Sequence, residues 1–257
     1  ATAAPLVQKP LAELLGLRTA ASANSAFASG PATAPGAKAP VRSAATDLAE
    51  ATGVTINASV VYPNNAQGMW SYNTTEWNPT RLSIDPEILA TGGGLEANGK
   101  YYVNRYREVM GFEEIVTLNY LTSDWTVYDG PYNGKIEYIA TTMAYDPLRD
   151  EAYGCFINPE RNGYNFVRWN YDRFLPSATI CALERPWSGC AFSSDGTLYA
   201  IEQNGDLYRV NIKTGEMTLV GSTGVSATYL GDATIDRTTD TMYWCATTDT
   251  DYGLYSV

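Results

Sequence analysis

From Gly53 to the end of the chain, apolar and polar positions alternate over short stretches with the two-residue period of half-buried strands. Ile115-Val116-Thr117-Leu118-Asn119-Tyr120 and Tyr208-Arg209-Val210-Asn211-Ile212 show it most plainly. Turns rich in Asp, Asn and Gly separate the stretches, and no segment there carries a helical period. The units also repeat. Tyr102, Tyr153, Tyr199 and Tyr243 each stand just behind such a turn (Asn98-Gly99, Arg149-Asp150, Asp195-Gly196, Thr239-Asp240), at separations of 51, 46 and 44 residues. A second strand follows each: Ile115 to Asn119, Phe166 to Asn170, Leu207 to Asn211, and Leu254 to Val257. Short strands repeating at roughly 40 to 50 residues predict an all-β fold of β-propeller blades.

The expected blade units are 53–87 (partial), 88–139, 140–186, 187–231 and 232–257 (partial). Gly68-Met69-Trp70-Ser71-Tyr72 aligns with Gly253-Leu254-Tyr255-Ser256-Val257, so 55–85 reads as the second to fourth strands of a blade without its first. The last copy reads as three strands. A propeller closes by completing one blade with a strand from the far end of the chain, because an open ring leaves bare strand edges. The pattern therefore points to the front of a longer protein or one piece of a two-chain propeller, with a small ring of five blades as the alternative.

Residues 1–52 differ in kind, being rich in Ala, Pro and Ser with Phe27 as their one aromatic residue. Pro10 to Arg18 and Thr46 to Glu50 predict short helices, and 29–45 reads as linker. The segment is expected to be an arm, serving as a tether or as a docking element.

Composition narrows the chemistry. A formal net charge of -11 without a basic cluster opposes attraction to nucleic acid or anionic lipid. No apolar run of membrane-spanning length occurs. With no histidine, the commonest general base and metal ligand is missing. No phosphate loop, calcium loop or catalytic set is recognised, so no cofactor and no metal is assigned. Asn57-Ala58-Ser59 and Asn73-Thr74-Thr75 match the glycosylation triplet.

Candidate binding residues are the aromatic and basic side chains of loops expected on one face of the ring: Tyr106, Arg107, Tyr132, Arg161, Trp187 and Tyr229. Rings stack on apolar ligand faces while guanidinium groups orient polar ones, which suits glycan or peptide ligands. The same residues also suit blade interfaces. The four cysteines read either as buried thiols or, for Cys181 and Cys190, as a disulfide candidate closing a small loop.

The motif Ser193-Ser194-Asp195-Gly196-Thr197-Leu198-Tyr199-Ala200-Ile201, with Gly205 to Asn211 and Thr214-Gly215-Glu216, resembles the blades of secreted bacterial propellers. Together with Ser59-Val60-Val61-Tyr62 and Gly68 to Tyr72, it resembles the amino-terminal propeller of surface or secreted proteins of Bacteroides-type bacteria, over about 53–257. The matching positions belong to the scaffold, so no catalytic residues follow from them. The resemblance implies an extracytoplasmic setting in a bacterial envelope. The function expected is a non-enzymatic binding or assembly module, with a protein partner or the remainder of its own chain at the open blade edge. The alternatives are a propeller-type glycosidase, lyase or cyclase acting on an extracellular polymer, and a structural subunit anchored by its arm.

Overall fold

The structure, a computed structural model, describes residues 53–60, 68–74, 79–84, 90–107, 112–119, 124–127, 139–160, 162–173, 175–250 and 252–257. The expected arm at 1–52 lies outside them. No helix occurs among the described residues, which form eighteen strands.

The strands make five antiparallel meanders. The first sheet holds β1 (Thr55–Val60), β2 (Gly68–Asn73) and β3 (Thr80–Ile84). The second holds β4 (Ala90–Ala97), β5 (Lys100–Arg107), β6 (Phe112–Asn119) and β7 (Asp124–Val127). β8 (Ile139–Asp146), β9 (Glu151–Ile157), β10 (Tyr164–Asn170) and β11 (Leu175–Leu183) form the third. β12 (Trp187–Phe192), β13 (Leu198–Glu202), β14 (Asp206–Val210) and β15 (Met217–Ser222) form the fourth. β16 (Tyr229–Asp236), β17 (Thr241–Thr247) and β18 (Tyr252–Ser256) complete the set.

Strands β4, β8, β12 and β16 sit innermost, where β16 approaches β12, β8 and β4 together. Burial falls from this centre outward. β8 and β12 are almost wholly buried on both faces, whereas β15 is largely exposed, with Leu219 and Val220 in solvent. Small residues in Trp187-Ser188-Gly189-Cys190-Ala191-Phe192 let neighbouring sheets come close at the centre. A Cβ on Gly189 would stand 2.7 Å from the Ala233 methyl of the fifth sheet.

Alternation along each strand sends one set of side chains to the preceding sheet and the other to the following one. Met143, Phe156, Val167 and Trp169 of the third sheet pack with Leu95 and Tyr102 of the second. On the other face, Tyr153, Cys155 and Phe166 pack with Trp187, Cys190 and Phe192 of the fourth. Ala191, Tyr199 and Ile201 then meet Met242, Trp244 and Ala246 of the fifth. Each interface centres on apolar side chains that are wholly or nearly buried, and such packing is the main source of cohesion between sheets.

The turns that precede the repeat tyrosines share one backbone feature. Gly99, Asp150, Gly196 and Asp240, each three residues before its Tyr, have φ of 73°, 55°, 79° and 53°. Gly, Asn and Asp tolerate this left-handed region, which explains the residue types seen there. Polar side chains at these turns link consecutive sheets. Asn98 Nδ2 donates to Tyr171 Oη at 3.0 Å, and Tyr171 Oη donates to Asp150 at 2.6 Å. Arg149, paired with Asp146, donates to the Gly196 carbonyl at 3.0 Å. Asp240 accepts from both the amide and the hydroxyl of Ser194 at 2.7 Å.

All four cysteines are free thiols. Cys181 lies on the outermost strand of the third sheet, against Gly215, and Cys190 on the innermost strand of the fourth, beside Thr142. The Cys181–Cys190 disulfide considered from the sequence is therefore not formed.

Candidate functional site

Each innermost strand carries an irregularity at the same level of the sheet. The register shifts between Thr91 and Gly93, between Ala140 and Thr142, between Trp187 and Gly189, and between Tyr229 and Asp232. Such bulges re-aim side chains, and here they turn polar groups of different sheets toward one another. The Thr141 hydroxyl donates to the Trp187 carbonyl at 3.1 Å, and the Gly231 amide donates to the Ser188 hydroxyl at 3.2 Å.

Immediately past the bulges, Asp232 reaches from β16 to two other sheets. Its Oδ2 accepts from the Gly94 amide on β4 at 3.1 Å. Its Oδ1 lies 2.5 Å from the Thr142 hydroxyl on β8 and 2.9 Å from the Ala233 amide. Thr142 Oγ1 in turn accepts from the Cys190 amide on β12 at 3.0 Å and lies 3.5 Å from Cys190 Sγ. Four innermost strands thus meet through one carboxyl and one hydroxyl. Among the described residues no cationic side chain pairs with Asp232. Burial therefore pushes its carboxyl from 3.8 up to about 7, against the lowering effect of its three hydrogen bonds. Burial likewise raises the Cys190 thiol, the atoms crowded around the Cys245 sulfur raise that thiol although part of its surface reaches solvent, and the Asp232 charge adds to both.

The fifth sheet differs from the others on its far face. Met242, Trp244 and Ala246 point back to the fourth sheet, so Tyr243 and Cys245 point away from it. The matching residues of the third sheet, Tyr153 and Cys155, are buried under the fourth. Cys245, by contrast, is exposed, Tyr243 is half-buried, and Thr234 beside them on β16 is exposed. The first sheet comes near this face. Burial raises the Tyr72 phenol on β2, and Cys245 raises it further.

Of the binding residues expected from sequence, Trp187 and Tyr229 have described side chains. Trp187 is wholly buried between the third and fourth sheets, with its ring centroid 5.0 Å from that of Phe166, which makes it a packing residue. Tyr229 is half-buried at the start of β16. Tyr106 and Arg107 end β5, where only the backbone is described, and Tyr132 and Arg161 lie outside the described residues. A hollow of about 380 Å³ opens beside Arg149, Arg209, Asn211 and Glu216, but the Arg149 guanidinium there is already held by Asp146 and the Gly196 carbonyl. Sequence reasoning missed Asp232 and Thr142. The signal was a repeat position occupied by Gly93, Thr142 and Gly189 in three sheets and by an acid in the fifth.

No family model matches the chain, and no curated protein matches it. Solved structures similar to it include a protein of unknown function from Bacteroides thetaiotaomicron, at 13% identity and a TM-score of 0.44 over 66% of this chain. Another is the extracellular domain of a one-component system from B. thetaiotaomicron, at 13% identity and 0.41 over 74% of the chain. TolB from Acinetobacter baumannii aligns at 8% identity and 0.43 over 74%. The chain spans 44%, 30% and 46% of those three structures. At these scores the likenesses carry no functional argument.

Proposed function

We propose that the protein is a non-enzymatic extracytoplasmic binding or assembly module built on a β-propeller, and that its seat is the open face of the fifth sheet. One observation supports this reading above the others. In the second, third and fourth sheets the face bearing the repeat tyrosine is covered by the next sheet, while among the described residues no apolar cluster closes over the face bearing Tyr243 and Cys245, which the first sheet approaches at Tyr72. Blades of a propeller cover one another's faces, and an uncovered face of mixed aromatic and polar character suits a protein contact. The outer edge of β18 takes no strand partner among the described residues. Its free backbone groups can extend the sheet by adding a strand. The occupant in this reading is a protein segment, from a partner or from the remainder of the same polypeptide. The extracytoplasmic setting rests on the resemblance of the 193–216 motif to secreted bacterial blades.

Intact mass spectrometry after gentle extraction from the native source tests the proposal. A heavier polypeptide containing this chain, or a stable complex with a second protein, is the expected result. A free chain of 28.0 kDa without a partner would overturn it.

A further inference from the structure

Asp232, Thr142 and Cys190 form a chain of hydrogen-bonding groups that runs through three sheets, and its direction depends on one proton. With Asp232 ionised, the Thr142 hydroxyl must donate to Oδ1, 2.5 Å away, and Cys190 Sγ receives nothing from it. With Asp232 neutral, the carboxyl proton passes to the other side of that contact. Oδ1 then donates to Thr142 Oγ1, which is freed to donate to Cys190 Sγ at 3.5 Å while still accepting from the Cys190 amide at 3.0 Å. The Gly94 amide donates to Oδ2 in either state. The Thr142–Cys190 contact thus reverses its direction with the proton, and only the neutral form leaves no uncompensated charge at the junction of β4, β8, β12 and β16.

We propose that these residues are a proton-operated clasp, which holds the fifth sheet to the second, third and fourth while Asp232 keeps its proton and loosens when the proton leaves. Among the described residues the groups facing Asp232 offer no counter-charge. β4 presents the Gly93-Gly94 backbone, β8 presents Thr142, β12 presents the Cys190 thiol and β17 the Cys245 thiol. Both thiols are raised, so near neutral pH Asp232 is the group among these that titrates. Burial, which places that carboxyl near 7, sets the working range close to neutral. The fifth sheet has an apolar interface only with the fourth among the described residues, so its attachment to the second and third depends on this junction. The clasp goes beyond the proposed binding role and does not depend on it.

Hydrogen exchange of the full chain, corrected for the intrinsic pH dependence of amide exchange, tests the clasp between about pH 5.5 and about pH 8.5. The amides to follow are Gly94, Cys190 and Ala233. In the wild type their protection should fall about tenfold or more from about pH 5.5 to about 7 and level off above it, while amides of β9 and β10 keep theirs. Asp232→Asn should abolish the step. Thr142→Val, which removes the hydroxyl but keeps the branched shape, should give low protection at both ends of the range and serves as the check if Asp232→Asn fails to fold. Protection that stays level in the wild type would overturn the proposal. So would an Asp232→Asn protein showing the same step, or a Thr142→Val protein as protected as the wild type in acid.

Discussion

Two tryptophans of similar burial separate packing from hydrogen bonding in this fold. Trp187 and Trp244 are both 0% exposed, and each fills an interface between sheets. The Trp244 indole N–H lies 3.3 Å from both the carbonyl and the hydroxyl oxygen of Ser188, across the junction of the fourth and fifth sheets. The Trp187 indole N–H has no hydrogen-bond partner among the described residues. Trp→Phe removes similar volume at both sites, and a large-to-small change of this extent costs roughly 1–2 kcal/mol in a tight core. At position 244 the change also deprives Ser188 of a buried donor, adding about 1 kcal/mol; Ser188 keeps its bond from Gly231, which limits the loss. At position 187 the change deletes an N–H whose desolvation costs about 1–3 kcal/mol uncompensated, so most of the packing loss is offset. Trp244→Phe is therefore expected to destabilise by about 2–3 kcal/mol, and Trp187→Phe to stay within about 1 kcal/mol of the wild type. Urea unfolding with an unchanged slope reads both values from the midpoint. A Trp187→Phe protein as unstable as Trp244→Phe would refute the assignment of hydrogen bonding as the difference.

Gly189→Ala places a methyl 2.7 Å from Ala233 and is expected to cost about 1–3 kcal/mol by thermal melting. Gly221→Ala, with open space around its Cβ, should be near neutral, and equal losses would show that the close approach of β12 and β16 is misjudged. Stability should peak in mildly acidic solution. The raised Asp232 contributes fully below its ordinary 3.8 and loses that contribution as pH climbs through about 7, a swing of roughly 4 kcal/mol at about 1.4 kcal/mol per pKa unit. Asp150, Asp195 and Asp236 are held below 3.8 by hydrogen bonds, so their contribution is present above that value and fades as pH falls through their folded values. Melting temperatures that rise from neutral to alkaline pH in the wild type would contradict this account.

The repeat was legible because it is written in residues that the turns and interfaces require. Tyr102, Tyr153 and Tyr199 recur at one position because each meets the next sheet, and the turns before them recur because the backbone there needs a left-handed residue. The all-β character followed directly from that alternation. The site was less legible. Trp187 looked like a loop aromatic but opens a strand that is buried on both sides, and nothing in its local sequence distinguishes that strand from an exposed one. Asp232 lies in Tyr229-Leu230-Gly231-Asp232-Ala233, where an isolated acid reads as a solvent-facing position. Only the meeting of β4, β8 and β16 makes it a junction. The open face of the fifth sheet depends on which sheet follows it, and no local pattern carries that.

The most direct test of the binding role is the reactivity of Cys245, measured by brief thiol labelling and mass spectrometry on protein in its native setting and on the isolated chain. The account predicts strong protection of Cys245 in the native setting and open labelling of the isolated chain, with Cys155 unreactive in both. Equal labelling of Cys245 in the two samples would mean that the face stays empty, and would contradict the proposal that it is a seat for a protein segment.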